Sequence, residues 1–242
     1  MINKLNKYFV LLPILYLFVA IFIARSDVKY VYAATIVLVI IAIFIQRKAK
    51  LKPEIFLARW LTILGAIGLT AAAILSIEKI ELLSDPGRIA SCSLSPVVAC
   101  SPVITSPQAS VFGFANSFFG LFGFCAIFVA GITILAGATK LHKLWWRTLL
   151  AGTAAGTVFS MWLIHEGVFE IGKLCLYCML VWLVSFALFF LVAAHAIQNK
   201  YVNFGVKINK LLSYKYELIA TSYAIIFLII FFRWADYWLS LL

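Results

Sequence analysis

Residues 172–197 read GKLCLYCMLVWLVSFALFFLVAAHAI. From Leu176 to Ile197 the stretch holds no Asp, Glu, Lys or Arg. At a helical rise of about 1.5 Å per residue it is long enough to cross a hydrocarbon core, which takes about 17–25 apolar residues. At its entrance stands Cys175-Leu176-Tyr177-Cys178, two thiols three residues apart and so on one face of the helix that follows. This stretch reads as a membrane span with a reactive pair at its mouth.

Similar apolar runs lie near 8–24, 30–46, 60–76, 116–138, 147–164 and 216–232. About seven spans and an all-α, polytopic membrane fold are therefore expected. Composition agrees: 65% of the 242 residues are hydrophobic and the mean hydropathy is +1.08, whereas soluble domains are roughly half apolar. The first run follows Lys4 and Lys7 but has no small-x-small cleavage site after it, so it is read as a retained span and not as a signal peptide.

A net charge of +11 suggests nucleic acid in a soluble protein; in a polytopic one it is first a topology signal. With a cytoplasmic N-terminus, the inside segments hold Lys4, Lys7, Arg47, Lys48, Lys50, Lys52, Arg59, Lys140, Lys143, Arg147, Lys200, Lys207, Lys210 and Lys215. The outside segments hold only Arg25, Lys29, Lys79, Arg88, Lys173 and Arg233. The basic excess is then a positive-inside bias, and no nucleic-acid partner is expected.

Most connections are short. The stretch from Ile77 to Ala115 is long, external and rich in Ser, Pro and Gly, as functional loops often are. Ser84-Asp85-Pro86-Gly87 signals a turn, and Pro96, Pro102 and Pro107 restrict helix to short pieces. A cap over the bundle is expected. Its last part, Val111 to Gly120, is aromatic and glycine-rich, suited to line a pocket. Gly152-Thr153-Ala154-Ala155-Gly156-Thr157 matches the small-xxx-small pattern of closely packed membrane helices.

The topology sorts the five cysteines. Cys92 and Cys100 fall on the external loop, Cys175 and Cys178 at the mouth of the sixth run, and Cys125 within the fourth, where a lone thiol packs as a small hydrophobe. In an oxidising compartment, paired cysteines tend to form disulfides, and two static staples would satisfy that tendency. The C-x-x-C argues for redox work instead, since a thiol in the first helical turn is held as thiolate by exposed N–H groups and the helix dipole. Lys173 adds to that field if it turns toward the mouth, which predicts a depressed thiol pKa at Cys175. Cys92 and Cys100, on their own, fit a structural bridge and a functional one equally. Four cysteines could also hold zinc; exposure to an oxidising compartment makes that the weaker reading, and no metal is expected.

The ordered set Cys92, Cys100, Ser106, Asn116, Cys175 and Cys178 resembles the vitamin K epoxide reductase family, and within it the bacterial members that regenerate periplasmic disulfide catalysts. The resemblance runs from about Arg59 to Ile197. It implies a four-helix bundle around a quinone, menaquinone or ubiquinone, spanning 58–197 and capped by 77–115. Segments 1–57 and 198–242 would then be accessory helices with basic loops. It implies that Cys92 and Cys100 shuttle electrons from a separate thioredoxin-fold partner of the DsbA-like kind. Cys100 would bridge transiently to Cys175, and Cys178 would address the quinone.

Asn116 resembles the family's quinone hydrogen-bond donor, although a helix cap would also suit it. Ser106 resembles the residue that steadies the cap, and local backbone bonding would serve equally. Phe119 belongs to the expected pocket wall. Trp182 stands where many relatives place a tyrosine, so an indole N–H replaces a phenol in the pocket. His165 and Glu166 close the fifth run, where they read either as a solvated helix end or as a proton relay. The function implied is thiol oxidation coupled to quinone reduction for disulfide formation in exported proteins. The alternatives are quinone or quinone-epoxide reduction as the useful output, and a non-catalytic protein with structural disulfides.

Overall fold

The computed structural model describes residues 2–23, 27–48, 51–85, 87–138 and 140–240. Arg25, Lys50 and Pro86, and the side chains of Lys4, Lys7 and Lys48, lie outside the described residues. The chain folds into α1 (Ile2–Ile23), α2 (Val28–Lys48), α3 (Pro53–Ser84), α4 (Cys100–Thr105), α5 (Ser117–Leu135), α6 (Lys143–His165), α7 (Leu176–Gln198), α8 (Val206–Ser213), α9 (Lys215–Arg233) and α10 (Ala235–Leu239). A 3-10 turn covers Pro107–Ser110 and a π-helical turn, Glu166–Glu170, prolongs α6. No strand occurs among the described residues; Val98 and Leu174 form an isolated parallel bridge.

Among the described residues, α2, α3, α5, α6 with its π-helical turn, α7 and α9 are long and apolar enough to cross a membrane. The expected first span is a helix too, but its apolar part, Phe9–Ile23, is shorter. Six candidate spans therefore stand where seven were expected. Large apolar side chains such as Phe18, Phe22, Phe122, Phe227 and Phe232 are exposed, as lipid-facing positions of a multi-pass membrane protein must be.

α3 is buried along most of its length and packs against α5 and α7, and α7 packs in turn against α6. The approach of α3 to α5 depends on glycine: a Cβ on Gly131 would lie 2.4 Å from Thr62 Oγ1 and 2.8 Å from the Ala58 carbonyl oxygen, and one on Gly65 would lie 2.8 Å from the Phe128 backbone nitrogen. α5 and α6 make few contacts with each other, so the four helices form a ring that is loose along one seam. α1 and α2 lie against α3, and α9 lies against α7.

The Gly152–Gly156 pattern does not serve the packing expected of it. A Cβ on either glycine would meet nothing within 4 Å. Thr157, one residue on, makes the contact with α7, donating from Oγ1 to the Ser185 carbonyl at 3.0 Å. Cys125 likewise is not packed in the bundle; it is exposed on α5.

The C-terminal ends of α3 and α6 and the N-terminal ends of α5 and α7 meet the cap at one end of the bundle. At the opposite end Trp146 stacks on Tyr201 with ring centroids 5.4 Å apart and meets His195 at 4.6 Å, while Arg147 Nε donates to the Tyr201 carbonyl at 2.9 Å. The basic connections gather there.

Candidate active site

The cap is fastened to two helices. Buried Glu78 of α3 accepts from the Ser91 backbone N–H at 3.2 Å and from its hydroxyl at 2.5 Å, and Arg88 pairs with Glu81. Lys79, one residue along, donates to the Ile104 carbonyl of α4 at 2.7 Å. On the other side the Leu174 N–H donates to the Val97 carbonyl at 2.9 Å, the Ala99 N–H donates to the Leu174 carbonyl at 3.0 Å, and Lys173 Nζ donates to the Pro96 carbonyl at 2.6 Å. Lys173, expected to strengthen the positive field at the thiol, instead anchors the loop.

These ties bring the two cysteine pairs together. Cys92 and Cys100 are disulfide-bonded, with Cα atoms 5.6 Å apart. Cys175 and Cys178 are free thiols. The sulfurs of Cys92, Cys100 and Cys175 all lie within 4.8 Å of one another. Two of the three are bonded to each other, so the arrangement is a thiol held against a disulfide, the geometry from which thiol exchange starts.

The chain reaches Cys175 through Gly172, whose φ of +64° is a left-handed conformation that favours glycine. Cys175 is the N-cap of α7, one position earlier than the first-turn placement expected, and its Sγ accepts from the Cys178 N–H at 3.4 Å. Tyr32 of α2 donates from its hydroxyl to the Leu176 carbonyl at 2.7 Å. An accessory helix thus grips the backbone between the two thiols, a contact no local pattern announces.

Cys178 faces a cavity of about 580 Å³ enclosed by α3, α5, α6, α7 and the cap. Its wall includes Ser106, Asn116, Phe119, Cys175, Cys178, Glu166 and Trp182. Gly152, Gly156 and Phe122 also line it and are exposed, so the cavity opens along the loose α5–α6 seam. Phe112, Phe114 and Phe119 cluster at the cap end, with centroids 4.7 and 5.0 Å from Phe119.

Asn116 is the N-cap of α5 by position, yet its side chain makes no capping bond. Its Nδ2 donates to the Gln108 carbonyl at 2.7 Å and its Oδ1 accepts from the Val111 N–H at 3.2 Å. An amide nitrogen carries two hydrogens, so one remains for a ligand. Ser106 Oγ donates to the Val103 carbonyl at 2.8 Å, a local bond. Trp182 is buried, and its indole N–H has no acceptor among the described residues.

The family model described as the vitamin K epoxide reductase family matches residues 59–193. The chain belongs to the vitamin K epoxide reductase family. The match includes both cysteine pairs and every helix that walls the cavity, and leaves out α1, α2 and α9. Membership makes the protein a membrane oxidoreductase of a quinone-linked family. Among curated proteins none matches the chain. The residues fit a quinone: an apolar cavity open to lipid along one side suits a ring with a hydrocarbon tail, and the spare Asn116 N–H can meet a carbonyl oxygen, whereas the orphaned Trp182 N–H is enclosed by protein atoms behind the wall. A buried N–H left without an acceptor costs about 1–3 kcal/mol.

Proposed function

We propose that this protein oxidises the dithiol of a separate thioredoxin-fold, DsbA-like partner and passes the electrons to a membrane quinone, so that exported proteins acquire disulfides. The single observation that carries this reading is Cys175 Sγ within 4.8 Å of both sulfurs of the Cys92–Cys100 bridge, with Cys178 on the cavity wall beyond it. The unit that performs the chemistry is 58–197, with 1–57 and 198–242 accessory. The N-terminus is cytoplasmic and the capped end extracytoplasmic, in a bacterial inner membrane.

A partner thiolate attacks the loop disulfide and leaves as a disulfide, and the loop becomes a dithiol. Cys100 then attacks the C-x-x-C disulfide at Cys175, forming a Cys100–Cys175 bridge and freeing Cys178. Cys92 resolves that bridge, and the loop disulfide returns while Cys175 and Cys178 become thiols. When bound, the quinone is the two-electron acceptor. Asn116 orients it and stabilises negative charge growing on its oxygens, and Trp182 joins it once the buried indole turns its N–H toward the cavity. Ser106 and Phe119 shape the cap side of the cavity.

Replacing Cys178 with Ala tests the relay. In this variant the lone Cys175 thiolate can attack the Cys92–Cys100 disulfide and release Cys92 as a thiol, so acid trapping and non-reducing peptide mapping before any reduced partner is added should find a Cys100–Cys175 linkage, and a reduced thioredoxin-fold partner should then remove it. If Cys175 and Cys178 of the unaltered protein stay bonded to each other under every redox condition, both pairs are static staples and the relay is wrong.

A further inference from the structure

We propose that Glu166 is the proton donor for ring reduction in this cavity, fed from water through His165. The inference rests on the quinone reading above and names a group that reading does not use.

Reduction of a quinone to a quinol consumes two protons as well as two electrons. The cavity wall offers few acids. Lys79 and Lys173 line it, but both ammonium groups are committed to cap carbonyls, at Ile104 and Pro96. Asn116, Gln108, the serines and Trp182 donate hydrogen bonds but are not proton sources for a ring oxygen, and the Cys175 and Cys178 thiols, also on the wall, must already be thiolates when they attack and so have given up their protons beforehand. Glu166 is the one carboxyl on the wall among the described residues.

Its placement follows from the helix that carries it. Gly152, Gly156, Phe159, Leu163 and Glu166 recur at helical spacing and all line the cavity, so the carboxyl is the last member of the cavity face of α6. There the helix widens into the π-helical turn, with the Ile171 N–H reaching back to the Glu166 carbonyl at 2.8 Å; such bulges recur at functional sites. The Glu166 side chain is 15% exposed, while that of His165, with Nδ1 3.7 Å from Glu166 Oε1, is 58% exposed. One group faces the cavity and its neighbour faces water, as a two-step proton path requires.

The balance closes. Cys175 and Cys178 pass from dithiol to disulfide, losing two electrons and two protons. The electrons go to the ring, and the thiol protons leave to water. Glu166 gives a proton to a ring oxygen, recovers one through His165, gives a second and is reprotonated by the same route, so two protons pass from water to the ring and a quinol forms with no other reductant.

The experiment uses the full chain, short-chain ubiquinone and menaquinone analogues as probes, and the variants Glu166→Gln and Glu166→Asp. Quinone binding is read from quenching of tryptophan fluorescence in protein whose C-x-x-C is oxidised, and quinol formation from a single turnover of the reduced protein. Glu166→Gln should bind the probe within about twofold of the unaltered protein and form quinol roughly a hundredfold more slowly, the lower end for general-acid catalysis, with Glu166→Asp in between. The single turnover should also carry a solvent deuterium isotope effect that Glu166→Gln loses. An unchanged single-turnover rate in Glu166→Gln would overturn the proposal, as would loss of probe binding, which makes the carboxyl a binding group. Absence of probe binding by the unaltered protein would overturn the quinone reading itself, and this inference with it.

Discussion

Trp182 sets a stability cost against a binding gain at a single atom. Its indole N–H is buried and has no acceptor among the described residues, and a ligand oxygen would supply one once the indole turns toward the cavity. Trp182→Phe removes the donor while keeping most of the ring. The ligand-free variant should melt at the same temperature as the unaltered protein or slightly above it, because no buried donor is left bare. Quinone affinity should fall about tenfold, the equivalent of roughly 1.4 kcal/mol for one good hydrogen bond. Thermal unfolding in detergent and fluorescence titration measure the two effects separately, and a lowered melting temperature with unchanged affinity would make Trp182 a packing residue only. Asn116 illustrates the other case. The choice between cap and donor was open from sequence, and the structure spends its amide on Gln108 and Val111 with one N–H in reserve.

At the scale of helices, glycine has two opposite uses here. Gly131 lets α3 and α5 touch, and Gly156 keeps the wall of the cavity low. Gly131→Ala should destabilise by about 1–3 kcal/mol, since the added methyl meets backbone atoms of α3 that cannot turn aside. Gly156→Ala meets nothing within 4 Å and gains helix propensity, so its melting temperature should hold or rise. Calorimetry or scanning fluorimetry on the two variants distinguishes them, and equal losses would contradict this assignment of the helix faces. The sequence pattern pointed at Gly152 and Gly156 for packing because spacing reveals that small residues share a face but not what that face meets. The π-helical turn after α6 and the Tyr32 grip on Leu176 were not legible either, the first because it is one turn of altered hydrogen bonding, the second because its partners are 144 residues apart.

For the whole molecule the testable quantity is sidedness. Both cysteine pairs and the cap lie at one end of the bundle, and the basic connections lie at the other. In intact cells a membrane-impermeant maleimide should label Leu94→Cys in the cap and spare Lys52→Cys at the far end until the membrane is opened. The reverse pattern would invert the topology and place the cysteines in a reducing compartment. The sequence by itself determined the all-α membrane class, through apolar run length, and the ordered constellation of cysteines, because hydropathy and spacing are local properties of the chain. It also ordered the helix ends, since successive spans must alternate. What only the tertiary structure decided is which groups meet: the loop disulfide against Cys175, the cavity beyond Cys178, Glu166 on its wall, and Lys173 bonded to the cap at Pro96. Those contacts depend on how α3, α6 and α7 pack and on the bonds that pin the cap, interactions between residues far apart in sequence whose geometry no periodicity encodes.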